Sequence, residues 1–65
     1  MEIMLNGKLL HLPEAATLAD AVTAAAIAPP FAAAVNGQFV PRTAHAATPL
    51  AAGDHIDLVQ PVTGG

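Results

Sequence analysis

The residues best suited to chemistry are the two glycines that close the sequence, Gly64-Gly65. They follow an apolar run, Ile56 to Thr63, that is typical of a final β-strand. Because glycine has no Cβ, two in succession form a thin, conformationally free tail that can enter a narrow channel and present an unobstructed carboxylate. The alternative is an ordinary frayed terminus, since chain ends are commonly disordered.

Few other residues suggest catalysis. The sequence contains no cysteine, which excludes a disulfide, a thiolate nucleophile and a Cys-based metal site. His11, His45 and His55 are widely spaced and form no HxxxH motif, so we expect ordinary surface or hairpin histidines rather than metal ligands. Asp54 and Asp57 are three positions apart in an extended segment and point to opposite faces. We therefore expect solvated charges that can also meet a basic partner.

The composition indicates one small acidic domain. A chain of 65 residues lies near the lower limit for a single core, because it buries only about 60% of its unfolded surface. Sixteen residues are alanine, so the core must come from scattered larger aliphatic side chains. The net charge of −3, with Lys8 and Arg42 as the positive residues, argues against nucleic-acid and membrane binding and favours a basic protein partner. With no recognisable signal peptide, we expect a cytoplasmic protein.

Turn residues predict two hairpins. Asn6-Gly7 separates the extended runs Met1 to Leu5 and Lys8 to Leu12, and Asn-Gly favours the type I′ turn because both central residues need positive φ. A two-residue turn places Ile3, Leu10, Met1 and Leu12 on the buried face, and Glu2, His11, Met4 and Leu9 on the other. Asn36-Gly37 repeats the signal between Phe31 to Val35 and Gln38 to Val40.

Between the hairpins, Thr17 predicts a helix N-terminus, with Asp20 completing a capping box. An apolar stripe follows, and Pro29 places the helix end near Ala26 to Ile27. A turn or short helix over Thr43 to Thr48 precedes a last strand over His55 to Gln60. We predict an α+β fold in which one helix lies across a mixed sheet of about four or five strands. If the last strand lies parallel to the first, the fold is a β-grasp, with the domain over residues 1–62 and a flexible tail over 63–65.

Four features stand together in this sequence: its length, Asn6 at the end of the first strand, the hairpin sequence Ala34 to Arg42, and the closing sequence Gly53 to Gly65. In these features, and over the whole chain, it resembles the ThiS family of ubiquitin-like sulfur carrier proteins of thiamin biosynthesis. The segment Thr43 to Leu50 departs from the family pattern, since it carries His45 and several alanines where larger, more polar or aromatic residues are usual.

The resemblance implies a protein co-substrate rather than an enzyme. In that family an E1-like enzyme adenylates the terminal glycine, here Gly65, with ATP. The acyl group then becomes a thiocarboxylate, with a cysteine desulfurase as a sulfur donor, and thiazole synthase takes the sulfur. The chain itself is expected to bind no cofactor. The missing cysteine agrees with this reading, because the terminal carboxyl is then the one plausible attachment point for sulfur.

A carrier must be recognised by its enzymes, so we also predict contact residues. We expect the partner enzymes to recognise the tail through Val62, Thr63 and Gly64. On the exposed sheet face, the apolar Val59, Met4 and Leu9 together with Asp57 form a possible partner surface.

Three other functions share these features. The small subunit of molybdopterin synthase uses the same glycine end and is usually somewhat longer. A ubiquitin-like tag would join its activated glycine to a lysine amine. A plain interaction domain would make no use of the double glycine.

Overall fold

The computed structural model describes residues 1–61, which form a five-stranded mixed sheet with its last strand at the centre. The elements are β1 (Glu2–Leu5), β2 (Lys8–His11), α1 (Leu18–Ala25), β3 (Ala32–Val35), β4 (Gln38–Val40), a 3₁₀ helix (Arg42–Ala47) and β5 (His55–Val59). The strand order in the sheet is β2-β1-β5-β3-β4. β5 runs parallel to β1 and antiparallel to β3, which confirms the predicted α+β architecture and makes it a β-grasp.

Both predicted hairpins form with the expected turns. Asn6 and Gly7 have φ values of 50° and 80°, and Asn36 and Gly37 have 51° and 84°, so all four residues occupy the left-handed region that a type I′ turn requires. In the first hairpin the register pairs Glu2, Ile3 and Met4 with His11, Leu10 and Leu9 in turn, as the two-residue turn predicts.

Helix α1 begins and ends where its sequence signals lie. The Asp20 carboxylate accepts hydrogen bonds from the backbone N–H of Thr17, at 2.7 Å, and from the Thr17 hydroxyl, at 3.2 Å. These contacts fix the first turn. At the other end Ala26 adopts a left-handed conformation with φ of 55°, which stops the helix at the predicted position.

The core lies between α1 and one face of the sheet, which we call the inner face. Ile3 of β1, Leu18 of α1 and Ile56 of β5 are its largest fully buried side chains. Ala21 and Ala33 are also buried in this cluster. Alanine therefore contributes small contacts at the centre, while the few large aliphatic residues supply most of the buried apolar area.

His45 is not a surface histidine, so that part of the prediction is wrong. It is 7% exposed, lies in the 3₁₀ helix, and stacks on the Phe31 ring with centroids 5.9 Å apart. Its Nε2 lies 3.2 Å from the carbonyl oxygen of Val40, so this nitrogen carries the donated hydrogen. The imidazole ring can be buried here because its Nε2 has a hydrogen-bond partner and its flat surface packs on the Phe31 ring.

Residues 62–65 lie outside the described part of the chain, so the predicted boundary between domain and tail stays a prediction. In residues 1–61, no helix has the length and apolar character needed to cross a membrane.

Replacing Leu58 by alanine should lower the free energy of unfolding by about 2–5 kcal/mol, because a buried aliphatic side chain leaves a cavity when truncated. Leu58 is 5% exposed, whereas Leu9 is 64% exposed. Leu9→Ala makes the same chemical change on the opposite face and should alter stability by no more than about 0.5 kcal/mol. Urea denaturation followed by circular dichroism measures both. Equal losses at the two positions would contradict the assignment of the faces.

Candidate functional site

The candidate functional tail continues from the central strand of the sheet. β5 ends at Val59 and is followed by Gln60 and Pro61, the last described residue. The predicted tail residues Val62, Thr63, Gly64 and Gly65 lie outside the described residues, so their predicted roles stay predictions. What the structure establishes is how the strand that leads to them is fixed.

Asn6 fixes the end of β5 through its side chain. The backbone N–H of Asn6 donates to the Ile56 carbonyl at 2.9 Å, as a parallel ladder requires. The turn diverts the Asn6 carbonyl, and the side-chain Oδ1 takes its place by accepting from the Leu58 N–H at 2.8 Å. Nδ2 donates to the Leu58 carbonyl at 3.1 Å. One amide therefore satisfies both backbone groups of Leu58.

Asn36 does the same at the beginning of β5. Its backbone N–H donates to the His55 carbonyl at 2.7 Å, and its Oδ1 accepts from the His55 N–H at 2.9 Å. Nδ2 donates to the Asp54 carboxylate at 3.0 Å. Asparagine is suited to both turns because it tolerates positive φ and also carries a donor and an acceptor. Sequence reasoning assigned both residues to turn formation alone and missed these contacts.

Asp54 and Asp57, both expected to be solvated charges, have different surroundings, and the expectation is wrong for Asp54. The Asp54 carboxylate is half-buried and accepts hydrogen bonds from Asn36 and from the Ala51 N–H, the latter at 2.8 Å. It fixes the turn before β5 and is not a freely solvated charge. Asp57 is exposed, as expected, and forms no ion pair within residues 1–61.

The predicted partner residues share the sheet face opposite α1, which we call the outer face. Leu9 and Val59 are 64% and 62% exposed, and Met4 is half-buried. Met4 pairs with Leu9 on one side and with His55 on the other. Val59 lies four residues beyond His55, about 13 Å along the strand. The register therefore places Met4 and Leu9 together and separates them from Val59.

Phe39 is the large apolar residue that sequence reasoning missed. Its side chain is 68% exposed. It pairs with Ala34, which pairs in turn with Asp57, while Ala32 pairs with Val59. Phe39 and Val59 thus project on either side of two small alanines. We call these four residues, Phe39, Val59, Ala32 and Ala34, the Phe39–Val59 patch.

A signal for Phe39 was present in the sequence. Phe39 stands three residues after Asn36, as Leu9 stands three residues after Asn6. Equal two-residue turns give these positions the same face, and Leu9 had already been assigned to the exposed one.

The concave surface offers little for catalysis. An open groove of about 380 Å³ lies between the first hairpin and the end of α1, and it is largely apolar. Its lining includes Leu5, Leu10 and Ile27, and Lys8 is the titratable residue among the described groups that line it. No cluster of three or more metal-ligating side chains occurs within residues 1–61.

Comparison with known proteins identifies the family. The family model for the ThiS family matches residues 3–65. The chain belongs to the ThiS family. Among solved structures, it is similar to the crystal structure of a thiamine biosynthesis protein (ThiS) from Geobacter metallireducens, with a TM-score of 0.82 and 25% sequence identity over 100% of both chains. A search of curated protein sequences gave no match. Family membership thus agrees with the β-grasp seen in residues 1–61.

Asn6→Gly should lower the free energy of unfolding by about 1–3 kcal/mol, because it keeps the positive φ but leaves the buried Leu58 peptide without its partners. Asn6→Asp retains the acceptor but replaces the donor with a carboxylate oxygen that faces the Leu58 carbonyl, so it should also lower the free energy of unfolding. Urea denaturation measures stability, and amide hydrogen exchange at Leu58 should accelerate in Asn6→Gly. Wild-type stability and wild-type exchange at Leu58 would contradict the role assigned to the Asn6 side chain.

Proposed function

We propose that this protein is a sulfur carrier of thiamin biosynthesis and that the terminal carboxyl of Gly65 carries the sulfur. Membership of the ThiS family supports the carrier role. The observation that carries the proposal is the position of the double glycine. It lies a few residues beyond β5, the strand held on both sides by neighbouring strands and by two asparagine side chains.

The proposed chemistry takes place at one acyl carbon. A carboxylate oxygen of Gly65 attacks the α-phosphorus of ATP, and pyrophosphate leaves. A sulfur nucleophile then attacks the acyl carbon of the adenylate, and AMP leaves with the bonding electron pair. If the sulfur arrives as a persulfide from a cysteine desulfurase, a second thiol attacks the sulfur of the donor cysteine in the resulting acyl disulfide. A disulfide forms between these two thiols, and the thiocarboxylate leaves with the electron pair of the broken S–S bond. Activation is needed because a carboxylate is a poor acyl donor.

The catalytic machinery belongs to the partners in this proposal. An E1-like enzyme supplies the ATP site, a cysteine desulfurase supplies the sulfur, and thiazole synthase consumes the thiocarboxylate, all in the cytoplasm. The carrier contributes a reactive end and a surface by which it is recognised. This division suits a domain whose groove presents apolar side chains and one lysine amine rather than paired acid and base groups.

We assign the main partner contact to the Phe39–Val59 patch together with Asp57. Exposed aromatic side chains commonly dominate protein interfaces. Val59 lies two residues before Pro61, so this patch adjoins the point from which the tail continues. Asp57 adds a negative charge on the same face, in a chain of net charge −3, which suits a partner with basic residues. Met4 and Leu9 form the distant part of the same proposed surface.

The proposed modification should be visible by intact-mass spectrometry. After incubation with the cognate activating enzyme, ATP and a cysteine desulfurase with a thiol, one oxygen of the protein should be replaced by sulfur. Fragmentation should locate the change in the peptide that ends at Gly65. Sulfur at another position, or no change under conditions that modify a known carrier, would contradict the proposal. Transfer to thiazole synthase, and not to molybdopterin synthase, should distinguish the pathway.

Phe39→Ala should raise the KM for the carrier in ATP–pyrophosphate exchange about fivefold or more, because it removes an exposed aromatic contact. Its thermal stability should remain close to that of the wild type, since the ring contributes little to the core. Leu9→Ala is the matched control on the distant part of the surface and should have a smaller effect. A larger rise in KM for Leu9→Ala than for Phe39→Ala would contradict the assigned centre of the interface.

A further inference from the structure

The side chain of Gln60 links the end of β5 to the connection between α1 and β3. Its Nε2 donates to the carbonyl oxygen of Ala28 at 2.9 Å, across 32 residues of sequence. Ala28 lies in the connection between α1 and β3. The side chains of Ile56 and Leu58 lie on the inner face of the sheet. Because side chains alternate along an extended strand, the Gln60 side chain lies on the same face, just beyond the last core residue of the strand.

Three successive residues are consequently fixed just before the tail. Asn6 holds both backbone groups of Leu58, Val59 pairs with Ala32, and Gln60 binds the Ala28 carbonyl. Pro61 follows, and its ring restricts φ. The contact of Gln60 is exposed to water, so it contributes little to the stability of the fold. It ties the chain at Gln60 to the connection between α1 and β3.

We propose that Gln60 is a positioning residue that sets where the reactive carboxyl reaches in the activating enzyme. This inference rests on the proposed function. Gly65 is four residues beyond Pro61, so its carboxyl lies at most about 14 Å from that point. Because only four residues follow Pro61, the position at which the tail starts limits the region that its carboxyl can reach. Since adenylation requires the carboxylate oxygen and the α-phosphorus to be aligned, a small displacement reduces the rate of the chemical step.

The test uses the full-length protein with Gln60→Met, which keeps the length of the side chain and removes its donor. In ATP–pyrophosphate exchange with the cognate activating enzyme, kcat should fall about threefold to tenfold, because the carboxyl is held less often in the reactive position. KM should remain near the wild-type value, because the outer face is unchanged. Gln38→Met is the matched control, since it makes the same change at an exposed residue of the edge strand β4.

Two further variants separate positioning from general structural effects. Gln60→Glu removes the donor and should resemble Gln60→Met, whereas Gln60→Lys restores an N–H donor and should recover much of kcat. The melting temperatures of all variants should match that of the wild type.

The outcomes distinguish this inference from the function on which it rests. Normal exchange by the wild type with an undiminished kcat in Gln60→Met would overturn the positioning role alone. A raised KM with unchanged kcat would also overturn it, because Gln60 would then contact the partner directly. Absence of exchange with the wild type would overturn the proposed function and this inference together.

Discussion

The parallel pairing of β1 with β5 is the interaction on which the fold depends, because it joins the two ends of the chain. The contact between Asn6 and Leu58 spans 52 residues, and closing such a loop costs conformational entropy before the new contacts offset it. The seam is short. It is extended by the two side-chain hydrogen bonds of Asn6, which continue the ladder after the β1 backbone has entered its turn.

This constraint also determines how the rest of the molecule is arranged. Once β5 occupies the centre, its alternation places Ile56 and Leu58 against α1 and leaves Asp57 and Val59 on the outer face. The two hairpins then form the two sides of the sheet, and each supplies one turn asparagine to β5. The same strand, β5, therefore contributes to the core and leads to the tail. Weakening its pairing with β1 is expected to lower the stability of the fold and to loosen the residues that precede the tail.

In the proposed function, the same arrangement separates recognition from chemistry. Residues 1–61 present an outer face with an exposed aromatic ring, a valine and a carboxylate beside the end of the central strand. Under this proposal the partner enzymes bind that face and react with the tail, so binding and chemistry involve different residues. In this proposal the carrier's contribution to rate is positional, because the end of β5 is fixed by contacts from β1, β3 and the connection after α1.

Local signals in the sequence determined the hairpins, the helix limits and the family. Asn-Gly turns, the cap at Thr17 and the stop before Pro29 act through neighbouring residues, and therefore the sequence alone predicts them. Tertiary structure decided what depends on distant contacts: the use of Asn6 and Asn36 as partners of β5, the burial of His45 on Phe31, and the separation of Leu9 from Val59. The asparagine contacts and the separation of Leu9 from Val59 follow from the register of strands far apart in sequence, which local patterns do not specify. The burial of His45 follows from the packing of the 3₁₀ helix on Phe31. Tertiary structure also decided the contact of Gln60, since its partner Ala28 lies 32 residues earlier in the chain.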